Sequence, residues 1–284
     1  MASWVQDNRI LAGGLIGIAA LGAMLLMLLS AQGGATSGTE LTVAVPPATA
    51  THVYGAPGAA GRPIVVIDAG HGGRDPGATG VSGDIQEKEL TLAFAQELRD
   101  TLVKRGRVRV ALTREDDRYL TLDERAAVPR ALDASLFVSL HTDSAPNPLA
   151  RGASVYSLSD VASDAETARF AEHENRGASA GEGDGSVSAM LSDLAIRSEM
   201  SASADFAARL VRKSAGRFEL RPEPHRFAAF HVLRRADTPA VLFEAGYISN
   251  VDDEALLRSP VHRKDIVLAL AQAIEADVAT RLRR

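Results

Sequence analysis

The sequence predicts a three-layer α/β domain: a central, mostly parallel or mixed sheet flanked by helices and preceded by a hydrophobic N-terminal helix. Three observations carry that expectation. Ile64 to Ile67, Ser135 to Leu140 and Pro239 to Phe243 are short, nearly unbroken apolar runs, as in strands buried on both faces. Between them lie segments whose apolar residues recur at helical spacing, so strands and helices interleave. No internal repeat points to a solenoid or propeller instead.

Taken in order, the chain opens on Ile10 to Leu29, an uncharged and mostly apolar run with Arg9 before it and no Lys or Arg after it until Arg62. As a helix it would span about 30 Å, the thickness of a bilayer core. The charge asymmetry keeps the N-terminus inside and exports the remainder. The length favours a retained anchor over the shorter core of a cleavable signal, although small residues around Ser30, Ala31, Gly33 and Ala35 would suit cleavage. Residues 1–31 are therefore expected to be a signal anchor or signal peptide. Residues 32–62, rich in Gly, Ala, Thr and Pro, are expected to be a flexible linker.

The folded domain is expected over 63–284. Ile64 to Ile67 is a strand closed by the glycine-rich turn of IDAGHGG. Lys88 to Arg105 places Leu90, Phe94, Leu98 and Leu102 on one stripe of a helix that Gly106 stops. Arg107 to Leu112 alternates as a strand exposed on one face would, and Leu122 to Leu132 is a short helix. Ser135 to Leu140 is a strand ending on His141. Gly152 to Leu158 is a strand, Ala165 to Glu174 a helix, and Gly177 to Gly185 a polar loop. Ser186 to Ala215 reads as helix broken near Ser201 to Ser203. Pro239 to Phe243 is a strand ending on Glu244, and Val261 to Leu282 is the closing helix.

Composition narrows the function. A 284-residue chain with 46% apolar and 24% charged residues can bury one large core. A net charge of −5 without a Lys/Arg cluster argues against a nucleic-acid partner. The absence of cysteine removes disulfides, thiolate ligands and a cysteine nucleophile, so a tightly held metal must use His and carboxylate.

His71, Glu87, His141 and Glu244 sit where strands end or loops begin. Two imidazoles and a carboxylate form a recurring catalytic zinc set, because they leave a fourth position open for water. A phosphate-cradling loop is the other use of a glycine-rich turn after a strand, but such loops carry Lys with Ser or Thr, which IDAGHGG lacks. Taken alone, Glu87 also suits the first turn of a helix, where acidic residues complement the dipole.

In this order and spacing, IDAGHGG, EKELT, SLHTDS and FEAGYISN resemble the motifs of the N-acetylmuramoyl-L-alanine amidases of the zinc-dependent amidase_3 type, the AmiA/AmiB/AmiC-like cell-wall hydrolases. The resemblance covers roughly residues 63 to 275. It implies that His71, Glu87 and His141 bind Zn2+, with Glu89 the alternative to Glu87, and that Glu244 is the catalytic carboxylate. The implied reaction hydrolyses the amide between N-acetylmuramic acid and L-alanine of peptidoglycan, in cell-wall remodelling or daughter-cell separation. The alternatives are a zinc peptidase cutting within the stem peptide and a catalytically silent cell-wall binding protein. Implied partners are the peptidoglycan substrate, a protein activator and, through residues 10–29 if uncleaved, the inner membrane. The expected location is periplasm or cell envelope.

Residues 160–200, which contain the run ARFAEHEN followed by a Gly/Ser-rich acidic loop and an apolar segment, resemble the regulatory insertion of division-associated amidases, in which a helix occludes the zinc until an activator displaces it. Glu174 or Glu182 could then supply a fourth ligand; the bland alternative is a surface insertion. Asp68 could orient His71 or shape the turn, and Asp143 is similarly ambiguous. Arg114 and Arg125, from LTREDD and LDER, match positions that the family also carries, with surface ion pairing as the bland reading; Asn250 reads as a helix cap, and His52, His173, His225, His231 and His262 as structural or exposed.

Overall fold

The computed structural model describes residues 51–178 and 187–282, the side chains of 187–194 excepted. Seven strands form one sheet: β1 (Val53–Tyr54), β2 (Ile64–Ala69), β3 (Arg109–Leu112), β4 (Leu136–Asp143), β5 (Ala153–Leu158), β6 (Leu220–Ala228) and β7 (Ala240–Tyr247). Their spatial order is β1-β3-β2-β4-β7-β5-β6. The pairs β3/β2, β2/β4, β4/β7 and β5/β6 are parallel, while β1/β3 and β5/β7 are antiparallel. The sheet is thus mixed, with its parallel heart at β3-β2-β4-β7.

Alternation along the central strands divides two cores. Val65, Ile67, Val138, Leu140, Val241 and Phe243 face α1 (Glu87–Arg105), α4 (Val187–Ser214) and α7 (Pro260–Arg281). Val66, Phe137, Tyr156, Ala240 and Leu242 face α2 (Leu122–Ala131), α3 (Ala165–Glu174) and the short α5 (His231–Arg234). Burial on both faces is why the strands read as continuous apolar runs. It also corrects β3, which was expected to expose one face: Val110, Ala111 and Leu112 are all buried.

Local chemistry fixes the helix bounds. At the start of α1 the Gln86 backbone N–H donates to Glu89, and at its end Gly106 adopts φ 67° and donates its N–H to Leu102. Asn250 caps α6 (Val251–Arg258) by accepting from the Asp252 and Asp253 N–H groups, as expected. The break predicted near Ser201 to Ser203 is absent, and α4 runs on to Ser214. The Ser203 hydroxyl donates back to the Glu199 carbonyl within the helix, satisfying the group that would otherwise compete with it.

The apolar N-terminal run Ile10 to Leu29, most of the linker, Glu182 and nearly all of the Gly177 to Gly185 loop lie outside the described residues. Val53 and Tyr54, within the expected linker, pair with β3. Among the described residues no helix is long and apolar enough to cross a membrane.

Candidate active site

The four motif residues reach one end of the sheet by different routes. β2 ends at Ala69, and the turn that follows holds His71 at φ 59°, a conformation that non-glycine residues rarely adopt. β4 carries His141 in register with Glu244 on β7, so both side chains leave the same face. α1 begins at Glu87, whose carboxylate turns inward, while exposed Glu89 serves the helix cap. The inward and outward roles of the two glutamates are thereby distinguished.

Glu87 bridges the imidazoles. Its Oε2 lies 3.2 Å from His71 Nε2 and its Oε1 lies 3.2 Å from His141 Nδ1. Each oxygen also accepts a backbone N–H, from Ala78 and Thr142 respectively, both at 2.9 Å. Glu174, the last residue of α3, enters from the other side with Oε2 3.8 Å from His71 Nε2 and 3.4 Å from His141 Nδ1. The ligand atoms of His71, His141 and Glu174 lie within 4.8 Å of one another. One Glu174 oxygen faces both imidazoles, whereas Glu87 divides its two oxygens between them.

These residues fit a metal. His71 Nε2 is buried and makes no well-formed hydrogen bond despite the nearby Glu87 oxygen. Burial opposes charge on this ring, but Glu87 and the Asp75 hydrogen bond prevail and push its pKa up to about 11. The carboxylates therefore draw positive charge to this point, which a proton or a divalent cation would supply.

Asp75 had no role in the sequence reading. Its Oδ2 pairs with His71 Nδ1 at 2.9 Å and leaves Nε2 facing the cluster. This is the ring-orienting role considered for Asp68. Asp68 instead accepts from Thr113, Ser139 and Arg125 and shapes the turn. The only sequence signal for Asp75 was its place four residues after His71.

For Arg114 and Arg125 the surface ion-pair reading is corrected: they are 0% and 3% exposed. Arg114 donates to the carbonyls of Ala69, Gly70 and Lys88, and Arg125 to those of Ala69 and His71. Together they clamp the turn that presents His71. The glycines of IDAGHGG serve packing in the same place. A Cβ on Gly70 would lie 2.5 Å from His141 Nε2, and one on Gly72 would lie 2.3 Å from the Arg118 carbonyl oxygen.

The Asp68–Arg125 pair yields a stability prediction. Burial raises the Asp68 pKa, but Arg125, Thr113 and Ser139 outweigh it and hold it below the usual carboxylate value. Its contribution is present above the unfolded-state pKa and lost as pH falls through the depressed native value. Arg125→Ala should cost about 3 to 5 kcal/mol at neutral pH, because it strands a buried carboxylate. Denaturant unfolding checks this, and a loss below about 1 kcal/mol would contradict a buried clamp.

Glu244 is fully buried with neither carboxylate oxygen hydrogen-bonded. Burial, followed by Asp143, Glu87 and Glu174, pushes its pKa well above the ordinary range. Asp143 is raised to about 7, chiefly by burial. The end of α3 lies over this ground. His173 and Glu174 border both a cavity of about 460 Å³ on the Asp75 side and one of about 450 Å³ on the Asp143 side, while Glu244 opens into neither.

A histidine and carboxylate cluster able to hold a metal, set at one end of a mixed α/β sheet, defines the class as an α/β protein with a candidate metal centre. Comparison with known proteins gives the family. Residues 65–276 match the Amidase_3 family, N-acetylmuramoyl-L-alanine amidase. The chain is 34% identical over 220 residues to N-acetylmuramoyl-L-alanine amidase AmiA of Escherichia coli K12, covering 75% of each chain. It is 33% identical to N-acetylmuramoyl-L-alanine amidase AmiC of Neisseria meningitidis serogroup B, covering 77% of this chain and 53% of AmiC. The fold matches the catalytic domain of CwlV, an N-acetylmuramoyl-L-alanine amidase from Bacillus (Paenibacillus) polymyxa var. colistinus, with TM-score 0.54 and 28% identity, over 75% of this chain and 97% of that one. The chain belongs to the N-acetylmuramoyl-L-alanine amidase family and is a cell-wall hydrolase.

Proposed function

We propose that the protein is an exported zinc amidase whose metal is held by His71, Glu87 and His141, with Glu244 as the catalytic carboxylate. The observation that supports this reading is the Glu87 carboxylate lying 3.2 Å from both His71 Nε2 and His141 Nδ1, through one oxygen each, with His141 in register with Glu244. Zinc bound there would supply a Lewis acid and positive charge that lowers the pKa of a bound water and of neighbouring carboxylates.

This chain's residues do the remaining work. Glu244 takes a proton from the attacking water as the water oxygen bonds to the lactyl carbonyl carbon. The carbon–nitrogen bond then breaks, and Glu244 returns the proton to the amine of L-alanine. Asp75 holds the His71 ring, while Arg114 and Arg125 hold its backbone. The products are a lactyl carboxylate on the glycan and a free peptide.

Glu174 is a fourth donor in a resting state in which α3 occludes the centre. Ion pairs of Arg221 with Glu166 and of Arg226 with Asp164 hold the start of that helix. At its end the Asn175 side chain donates to the Ala229 carbonyl and accepts from the His231 N–H, both at 2.7 Å. A protein activator that displaces α3 fits this arrangement, as does a role in wall remodelling or daughter-cell separation. Export and anchoring through residues 10–29 rest on the sequence.

Metal content and product mass test the assignment together. Purified protein should carry one zinc, which Glu87→Gln loses and Glu89→Gln keeps, and sacculi should release intact peptides beginning in L-alanine. Zinc lost from Glu89→Gln alone, or shortened peptides still attached to glycan, would refute it.

A further inference from the structure

The tight turn after His71 presents one cation that the chemistry above does not use. Gly72 and Asp75 exchange backbone hydrogen bonds at 2.8 and 3.2 Å, which puts Arg74 near the tip of a closed turn. That turn is held from outside. The Gly73 N–H donates to Asp117 Oδ1 at 2.7 Å, and Lys88 Nζ donates to the Gly73 carbonyl and to Asp117 Oδ2.

The Arg74 side chain is ordered by stacking, with its guanidinium carbon 4.1 Å from the centre of the Tyr119 ring. A cation–π contact of this kind uses none of the guanidinium's N–H groups as hydrogen-bond donors to a carboxylate. Among the described residues its guanidinium has no hydrogen-bonded or ion-paired partner. The adjacent Asp75 is committed to His71 Nδ1 and the Gly77 N–H. Arg74 borders the 460 Å³ cavity beside His71, whose apolar lining includes Leu120, Leu122, Phe230 and Val232.

The opposite flank has a different charge. Leaving aside the residues of α3, the cavity beyond Glu174 is bordered by Ala78, Glu87, Asp143, Ser144, Ala145 and Pro146, with no cation. Arg169 and Arg176 also border the cavities, but they belong to α3 and the segment after it, and so would leave with the occluding helix. Arg74 remains on the catalytic loop in either state.

The scissile amide joins an uncharged sugar portion to a peptide that carries free carboxylates. We propose that Arg74 binds a stem-peptide carboxylate, so that the peptide lies along the Arg74–Tyr119 side of the centre and the glycan along the 143–146 side. This makes Arg74 a specificity-determining residue for the amidase reaction, and it rests on that reading of the site. Pinning the turn and stacking the side chain reduce the ordering cost of the contact.

The test uses the full chain and soluble, uncross-linked peptidoglycan strands in two forms. In one the stem-peptide carboxylates are free; in the other, carbodiimide and ammonia have converted them to carboxamides. Wild type should cleave the carboxylate form with kcat/KM about ten-fold above the carboxamide form, the worth of a charged hydrogen bond. Arg74→Ala should erase that ratio mainly through KM, and Arg74→Lys should restore part of it. Slow turnover by an occluded enzyme lowers both rates and leaves the ratio readable. A general folding defect in Arg74→Ala likewise lowers both rates, so a ratio that stays at the wild-type value overturns the proposal. Equal cleavage of both forms by wild type also overturns it while leaving the amidase reading intact. Failure of wild type to cut the lactyl–alanine amide in either form overturns both.

Discussion

Glu244→Gln is expected to lower hydrolysis of purified sacculi by about a thousandfold while bound zinc stays at the wild-type level, since a positioned acid–base group contributes on the order of a hundred- to ten-thousandfold. The structure separates this outcome from a folding defect. Neither Glu244 oxygen makes a well-formed hydrogen bond. Its pKa is raised by burial and by nearby carboxylates. Without metal, folding therefore works against the charged form above the unfolded-state pKa. The expected variant is inactive, folded and zinc-loaded. Activity within ten-fold of wild type would remove Glu244 from the chemistry, and loss of zinc would make it a ligand instead.

The parts of this protein legible in its sequence are those whose physics is local. β2, the apolar start of β4 and the apolar start of β7 are buried on both faces and read directly as apolar runs. The ends of β4 and β7 were missed because the strands continue through His141 to Asp143 and through Glu244 to Tyr247, where site chemistry replaces apolar residues. β6 left no signal. Its sequence LRPEPHRFA carries two prolines and four charged or titratable residues, which suit an edge strand and hide it.

The site divides in the same way. His71 and His141 follow strands and could be found from them, but Glu87 and Glu89 differ only in which side of a helix start they face. That difference exists only after α1 has packed. Asp75 resembles any turn aspartate until its bond to His71 is seen. For Arg114 and Arg125 the sequence left surface pairing open, because a charged residue in sequence carries no sign of whether backbone carbonyls await it in the interior.

Glu174→Ala should raise the basal rate of sacculus hydrolysis by ten-fold or more, the opposite sign to a change in a catalytic group. Glu174 is the point at which α3 grips the centre, and its side chain is 12% exposed. Removing a charged contact of that kind shifts the balance between covered and open states by about ten- to a hundredfold. What keeps the helix down otherwise is modest. Phe170 packs against Tyr156 and Phe230 with ring centres 5.2 and 5.5 Å apart, and Thr167 and Ala171 are its buried residues. Asn175 supplies the independent check, because it latches the end of the helix through Ala229 and His231 rather than through His71 or His141. Asn175→Ala should therefore also accelerate hydrolysis, by about five-fold, the worth of about one kcal/mol in hydrogen bonding. If α3 were an ordinary surface insertion, both variants would leave the rate unchanged. If Glu174 belonged to the working metal set, Glu174→Ala would lose zinc and activity together while Asn175→Ala had no effect. Acceleration by both is the result that a displaceable cover requires, because the two residues hold the same helix by unrelated contacts.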